Sequence, residues 1–279
     1  MAQVTSKDGT SIAYEKTGSG PALLLVDGAL CHRKFGPTPK LAPQLAKDFT
    51  VFAYDRRGRG ESTDTKPYAV EREVEDIEAL INATGGSAYL CGISSGAALA
   101  LEAANRGLPI KKVAAFEAPF IVDDTRTPIP ADFLEQLNKM LAEDRRGDAV
   151  RHFMKLVGVP SIFVQLMRFM PAWSKLRAAA HTLPYDITIV KDYQQGKPLP
   201  KDKWATVSVP TIIFGGGKSP AWMQNAMKEL AQVVPNAEHK TLPGQTHMVK
   251  PNVLAPALIE FFLGSNAAAP ELNQAAAKA

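Results

Sequence analysis

The sequence has few cysteines, no long apolar runs and no excess of charge of one sign. Its two cysteines, Cys31 and Cys91, have no partners at metal-ligand spacing, which argues against a disulfide framework or a zinc site. No apolar run approaches the length that spans a bilayer, and Met1–Thr10 is polar, without the apolar segment of a signal peptide. Lysine and arginine total 32 against 28 aspartates and glutamates, a net charge of +4 in short, separated runs. We therefore expect a cytoplasmic protein that binds neither membranes nor nucleic acids. The sequence leaves open whether it forms a homodimer.

The composition that remains is typical of a globular protein with a large core, 46% hydrophobic and 22% charged. Short apolar runs alternate with helical patterns, which predicts a mostly parallel, doubly wound α/β sheet. The strand-like runs are a hairpin at Val4–Thr5 and Ile12–Glu15, followed by Ala22–Val26, Phe49–Tyr54, Ala88–Cys91, Val113–Phe116 and Thr211–Phe214. The helical patterns between them are Lys40–Lys47, Val70–Ala83, Gly96–Arg106 and Ala221–Val234.

The alternation stops between about Pro119 and Val207, where helical patterns follow one another without strands. These patterns cover Asp132–Leu141, Ala149–Val157, Ser161–Phe169 and Trp173–His181. Helices inserted between two core strands predict a cap over one end of the sheet. We therefore predict an α/β core at 1–118 and 206–264, a helical cap at 119–205 and a flexible C-terminal tail at 265–279.

A G-x-S-x-G motif, Gly92-Ile-Ser94-Ser95-Gly96, stands between a predicted strand and a predicted helix. A sharp turn of this kind lifts the serine hydroxyl clear of the backbone, and the flanking glycines permit the strain. The next N–H, that of Ser95, then lies at the positive end of the helix, where it can stabilise an oxyanion. Ser94 is centred between the glycines and is predicted to be a nucleophile.

Among the five histidines, His247 occupies the place that a base for Ser94 requires. It ends the loop Leu242-Pro-Gly-Gln-Thr-His247, after the last strand-like segment and before a helical pattern at Leu254–Phe262. Hydrolases with this order of elements carry their histidine last in the chain.

The loop after Ala22–Val26 is predicted to complete an oxyanion hole. Gly28 permits a close backbone approach, and the N–H of Gly28 or Ala29 can join that of Ser95. Asp27 precedes Gly28, and we expect it to fix this loop by accepting backbone hydrogen bonds.

The acid that would orient the histidine is displaced from its usual loop. That loop reads Phe214-Gly-Gly-Gly-Lys218-Ser219-Pro220, with Ser219 where an aspartate is expected. Glu117 ends the strand that follows the helix after Ser94. Because adjacent parallel strands end at the same edge of a sheet, Glu117 can reach a histidine that lies over Ser94. Because a carboxylate in an apolar setting needs a partner, we predict that Glu117 is the acid. Asp123 and Asp124 remain alternatives, as does a site without an acid.

With these residues placed, positions 1–264 resemble the α/β-hydrolase family. The Asp55-Arg-Arg-Gly58-Arg-Gly60-Glu-Ser62 turn is similar to the family's D-x-R-G-x-G-x-S loop. More narrowly, Asp27-Gly28, the serine elbow and Glu117 resemble the zearalenone-type lactonases, whose acid is a glutamate after the strand that follows the nucleophile. Some haloalkane dehalogenases share that glutamate, but a dehalogenase would carry aspartate at position 94. The resemblance implies a triad of Ser94, Glu117 and His247 with no metal or organic cofactor.

These residues predict a hydrolase that cleaves a carboxylic ester or lactone, a small-molecule substrate, through an acyl-enzyme. Trp173 and Met170 in the cap are predicted to shape an apolar substrate pocket. Two alternatives on the same triad are cleavage of an activated C–C bond and a cofactor-free perhydrolase activity. A third is a ligand receptor that kept the fold and lost turnover, an interpretation that the serine at position 219 supports.

Overall fold

The computed structural model describes residues 2–264, and the predicted tail at 265–279 lies outside them. Eight strands in this part of the chain form one sheet with the order β1-β2-β4-β3-β5-β6-β7-β8. Strand β2 pairs antiparallel with β1 and β4, and every other neighbouring pair is parallel. The strands are β1 (Ala2–Thr5), β2 (Ser11–Thr17), β3 (Ala22–Val26), β4 (Thr50–Tyr54), β5 (Ala88–Ile93), β6 (Ile110–Phe116), β7 (Thr211–Gly216) and β8 (Ala237–Leu242).

Helices cover both faces of the sheet because its central strands are apolar on both sides. Along β3, Leu24 and Val26 face one apolar layer, while Leu23 and Leu25 face the other. The first layer includes α2 (Val70–Ala83), α3 (Ser95–Asn105) and α9 (Ala221–Val233). The second includes α1 (Thr38–Leu45) and α10 (Pro251–Leu263). The predicted mostly parallel, doubly wound architecture is confirmed.

Between β6 and β7 the chain forms helices and no strand of the sheet. They are α4 (Phe133–Ala142), α5 (Arg146–Leu156), α6 (Ser161–Leu166), α7 (Trp173–Ala179) and α8 (Leu183–Val190), with short 3₁₀ turns after α6, α7 and α8. A separate apolar cluster that includes Phe133, Leu137 and Val150 holds this insertion together. Helix α8 was not among the four helical patterns expected here. None of the helices in residues 2–264 has both the length and the apolar character needed to cross a membrane.

Candidate active site

Ser94 lies in the turn between the end of β5 and the start of α3. Its backbone, with φ 58° and ψ −128°, is in a region that side-chain-bearing residues rarely occupy. The turn is tight: a Cβ on Gly92 would stand 2.3 Å from the carbonyl O of Gly96, and a Cβ on Gly96 would stand 2.1 Å from the carbonyl O of Val26. Both glycines are therefore required by close backbone approach. Strained residues of this kind concentrate at functional sites.

His247, in the loop after β8, has a buried carboxylate as its partner. Its Nδ1 lies 2.9 Å from Oε2 of Glu117, the residue that directly follows β6. Glu117 is fully buried, and its Oε1 accepts a 2.7 Å hydrogen bond from the N–H of Gly216 at the end of β7. Like Ser94, Glu117 has a positive φ, here 47°. With Nδ1–H donated to this carboxylate, the neutral imidazole keeps Nε2 as a free base.

The alternative carboxylates do not reach the histidine. Oδ2 of Asp123 accepts a 2.7 Å hydrogen bond from Nδ2 of Asn225, and Asp124 is exposed. Ser219, at the usual acid position, is buried, and its Oγ has no hydrogen-bond partner among the residues described. In this structure the carboxylate beside His247 comes from β6 and not from the loop after β7.

The loop after β3 lies directly against Ser94. A Cβ on Gly28 would stand 2.8 Å from the Cβ of Ser94, so this position also requires glycine. The carbonyl O of Gly28 accepts a 2.6 Å hydrogen bond from Nη1 of Arg59, which fixes the orientation of the loop. Ala29 and Ser95 line the same cavity as Ser94. No backbone acceptor in residues 2–264 binds the N–H of either residue, so both groups are free to donate to a ligand.

The expectation that the carboxylate of Asp27 accepts backbone hydrogen bonds is wrong. Its Oδ1 accepts a 2.9 Å hydrogen bond from the hydroxyl of Thr38, at the start of α1. Its Oδ2 is buried and has no partner in the part of the chain that is described. Burial raises the pKa of Asp27 to about 7. The side chain therefore ties the loop to α1 through a hydroxyl.

A buried cluster of charges joins the inserted helices to the serine elbow. Asp186 of α8 accepts hydrogen bonds from Nη1 of Arg56 and Oγ of Ser95 at 2.7 Å each, and from Nη2 of Arg59 at 2.6 Å. Arg56 also binds both carboxylate oxygens of Glu73 at 2.7 Å. Burial opposes ionisation of Asp186, but the two arginines hold its pKa below the ordinary value. The cluster thereby fixes Ser95, the first residue of α3.

Ser94 and His247 line a cavity of about 190 Å³ between the sheet and the insertion. Trp173 and Met170, predicted to shape this pocket, do not line it. Trp173 packs over Gly147 of α5, where a Cβ would stand 3.1 Å from its ring, and Met170 is 52% exposed. The aromatic side chains on the cavity are Phe153 and Trp222. Its aliphatic wall comes from Ile121, Ile129, Leu156, Val157, Ile187, Val190 and Met223.

Comparison with known proteins assigns the chain to a family. Residues 23–257 match the model of the alpha/beta hydrolase family. The chain belongs to that family. A solved alpha/beta hydrolase from Sphaerobacter thermophilus DSM 20745 is 50% identical, and the similarity covers 94% of this chain and 100% of that one with a TM-score of 0.87. The α/β-hydrolase fold predicted from the motifs is confirmed.

Two further proteins are less similar to this alpha/beta hydrolase. The uncharacterized hydrolase YraK of Bacillus subtilis (strain 168) is 38% identical over 101 residues, which span 34% of this chain and only 35% of that protein. The enol-lactonase from Burkholderia xenovorans LB400 is 20% identical, with 94% of this chain and 100% of that chain covered and a TM-score of 0.67. At that identity the likeness is one of fold alone.

The cavity of this alpha/beta hydrolase has three polar residues that the sequence analysis did not predict to be there: Asp186, Arg126 and Gln194. Asp186 carries a usable signal, because a lone carboxylate in the apolar helix Leu183–Val190 needs a buried partner. Arg126 stands in a polar segment that is typical of a solvated loop, and nothing in the sequence around Gln194 distinguishes it. Residues 2–264 contain no cluster of three or more His, Cys, Asp or Glu side chains placed to hold a metal ion.

Proposed function

We propose that the protein is a serine hydrolase that cleaves a carboxylic ester or lactone with Ser94, His247 and Glu117. The proposal rests chiefly on the hydrogen bond between Nδ1 of His247 and the fully buried Glu117, since His247 lines the same cavity as the strained Ser94. A nucleophile, a base and a group that orients the base are the three parts that such catalysis needs.

In the proposed reaction, Oγ of Ser94 attacks the substrate carbonyl while Nε2 of His247 removes its proton. The developing oxyanion accepts hydrogen bonds from the N–H of Ser95 and from Gly28 or Ala29. His247, now an imidazolium stabilised by Glu117, returns the proton to the leaving alcohol as the carbon–oxygen bond breaks. Water activated by the same imidazole then hydrolyses the acyl-enzyme and releases the acid.

The proposed role of Asp186 is positional. Its hydrogen bond to Oγ of Ser95 holds the residue whose N–H contributes to the oxyanion hole. The N–H must already point at the position where charge develops, because preorganised donors need no rearrangement during the reaction. The buried arginines Arg56 and Arg59 keep Asp186 ionised for this task.

The cavity favours a compact substrate with an apolar body. Most of its wall is aliphatic or aromatic, and only a few polar groups face it outside the proposed catalytic set. An ester of a short or medium acid fits this description, as does a lactone, whose alcohol stays attached to the acyl-enzyme after ring opening. The likeness of Glu117 and Asp27-Gly28 to the zearalenone-type lactonases is the reason for including lactones.

Labelling of Ser94 tests this proposal. A fluorophosphonate probe is expected to modify Ser94 in the wild-type protein, and Ser94→Ala is expected to abolish both labelling and hydrolysis of 4-nitrophenyl acetate and aryl lactones. Loss of the nucleophile should lower kcat on the order of 10⁴- to 10⁶-fold. Ser95→Ala is the control for the site of labelling: the neighbouring hydroxyl is removed and the label should stay on Ser94, although it should form more slowly because Asp186 no longer holds Ser95. A receptor without turnover would hydrolyse none of these substrates, and labelling at another residue would overturn the assignment.

A further inference from the structure

One cation on the cavity has no counter-charge among residues 2–264. Arg126 lies in the chain between β6 and α4 and is half-buried where it lines the cavity with Ser94 and His247. Its Nη2 donates to the carbonyl O of Leu156 at the end of α5, and its guanidinium carbon lies 4.1 Å from the ring centroid of Trp222. One edge and one face of the guanidinium are thus anchored, which leaves Nε and Nη1 without an acceptor in residues 2–264.

The electrostatics of Arg126 differ from those of the other buried arginines. Arg56 and Arg59 share the carboxylate of Asp186, and Arg57 binds Asp76. For Arg126, burial alone acts on the guanidinium and lowers its pKa, with no carboxylate in the described chain to offset the loss of solvent. A desolvated, unpaired cation is costly for the free protein and favours binding of an anion.

A second polar side chain on the same cavity is held by a backbone carbonyl. Gln194 is 8% exposed, and its Nε2 donates a 2.6 Å hydrogen bond to the carbonyl O of Pro119. That bond fixes the orientation of the amide, because only the NH₂ group can donate to a carbonyl. Its Oε1 is buried without a hydrogen-bond partner in the part of the chain that is described. Gln194 thus adds a fixed amide to the cavity wall, and the guanidinium of Arg126 is left to bind an anion.

We propose that the substrate carries a carboxylate remote from its scissile carbonyl, bound by Arg126 against Trp222. This inference rests on the proposed function. Arg126 and Trp222 also line a neighbouring, more open pocket that neither Ser94 nor His247 touches. The carboxylate is thus held toward solvent while the ester or lactone group lies at the serine. The physiological substrate class is the monoester or lactone of an acid that keeps a second, free carboxylate.

The test compares matched pairs of 4-nitrophenyl esters. One set is the monoesters of succinic, glutaric, adipic and pimelic acid, and in the other an isopropyl group replaces each free carboxylate. The wild-type protein is expected to prefer the acidic ester at one or two chain lengths. Arg126→Gln is expected to reduce that preference, the ratio of the two kcat/KM values, by about 10- to 100-fold, because charge-assisted hydrogen bonds are lost. The change should fall mainly on KM.

Two variants make the result specific. Arg126→Lys keeps the charge but loses the planar guanidinium that can bind a carboxylate through two N–H groups. It should retain part of the preference for the acidic esters. Arg168→Gln is the matched control, since Arg168 is exposed, stacks on Phe169 and does not line the cavity, so the preference should stay unchanged. Circular dichroism and thermal unfolding of each variant separate a lost contact from a lost fold.

The outcomes distinguish this inference from the proposed function. Suppose that both sets are hydrolysed without a preference for the acidic esters, or with a preference that Arg126→Gln leaves intact. Either result would overturn the carboxylate site and leave the proposed hydrolase function in place. Hydrolysis of neither set would contradict the proposed function. In that case, titration of the Ser94→Ala protein with monomethyl glutarate and monomethyl adipate in a calorimeter still decides the inference. Weaker binding after Arg126→Gln is added to the Ser94→Ala protein supports the carboxylate site. If neither the Ser94→Ala protein nor this double variant binds the monomethyl esters, the site is overturned.

Discussion

Glu117→Gln keeps the shape of the side chain and removes its charge, and the structure predicts which way the new amide points. The N–H of Gly216, 2.7 Å from Oε1, needs an acceptor, so the amide oxygen stays there and the NH₂ group faces Nδ1 of His247. An NH₂ donor pairs only with an unprotonated Nδ1, which moves the imidazole proton to Nε2. The ring then donates toward Ser94 when it should accept from it, and the imidazolium loses its counter-ion.

The expected loss is about 10⁴-fold in kcat, the size found when the orienting carboxylate of a serine protease becomes an amide in unchanged geometry. That corresponds to about 5.5 kcal/mol in the activation free energy. Hydrolysis of 4-nitrophenyl acetate measures it, with near-ultraviolet circular dichroism to verify the fold. Ser219→Ala is the control and should keep nearly full kcat, because its Oγ has no partner to lose. A folded Glu117→Gln protein with kcat close to wild type would refute the reasoning.

Three further perturbations follow from the geometry. Asp186→Asn leaves the buried Arg59 without its carboxylate partner and Arg56 with Glu73 alone, and it should lower the free energy of unfolding by about 3–5 kcal/mol, as measured with urea. The pKa of Asp27 is raised from 3.8 to about 7 in the folded protein, so its contribution to stability is complete below about pH 4 and is lost as the pH rises to about 7. At about 1.4 kcal/mol per pH unit the loss is on the order of 4 kcal/mol, and Asp27→Asn should remove this decline in urea unfolding between pH 4 and pH 8. Gly28→Ala places a Cβ 2.8 Å from that of Ser94 and should lower kcat on the order of 100-fold in steady-state kinetics of 4-nitrophenyl acetate.

Each of these expectations has a definite contrary result. Unchanged urea midpoints for Asp186→Asn would mean that the buried arginines find other partners. Parallel stability profiles for wild type and Asp27→Asn across that pH range would mean that the Asp27 carboxyl is solvated in the folded protein. Full activity of Gly28→Ala would mean that the loop after β3 moves to accommodate the new Cβ without displacing Ser94.

The sequence was sufficient for the parts of this fold that depend on local pattern. Strand β3 and helix α2 begin and end at the predicted residues, because an apolar run and a 3.6-residue repeat are properties of the chain itself. The elbow at Ser94 and the neighbouring positions of Glu117 and His247 follow from parallel strands that end at one edge of the sheet.

What the sequence did not reveal depends on contacts between distant segments. Asp186 meets Arg56 across 130 positions, and a single sequence does not show which charges pair. Trp173 was chosen for the pocket by residue type, but the insertion folds so that its ring packs over α5 and Trp222 lines the cavity. The side of a helix that faces a cavity is decided by the packing of the whole insertion, which periodicity does not predict.

The position of the proposed acid, directly after β6, also bears on how this protein can change over evolutionary time. The loop after β7 ends at Pro220, and the first turn of α9 carries Trp222 and Met223; all three residues form part of the cavity wall. In a hydrolase whose acid sits in that loop, a substitution that adapts the wall also risks displacing the carboxylate. Under the proposed mechanism these two tasks belong to different strands here. We therefore expect related hydrolases to differ in substrate preference through residues 217–223 while they keep the same rate of bond cleavage.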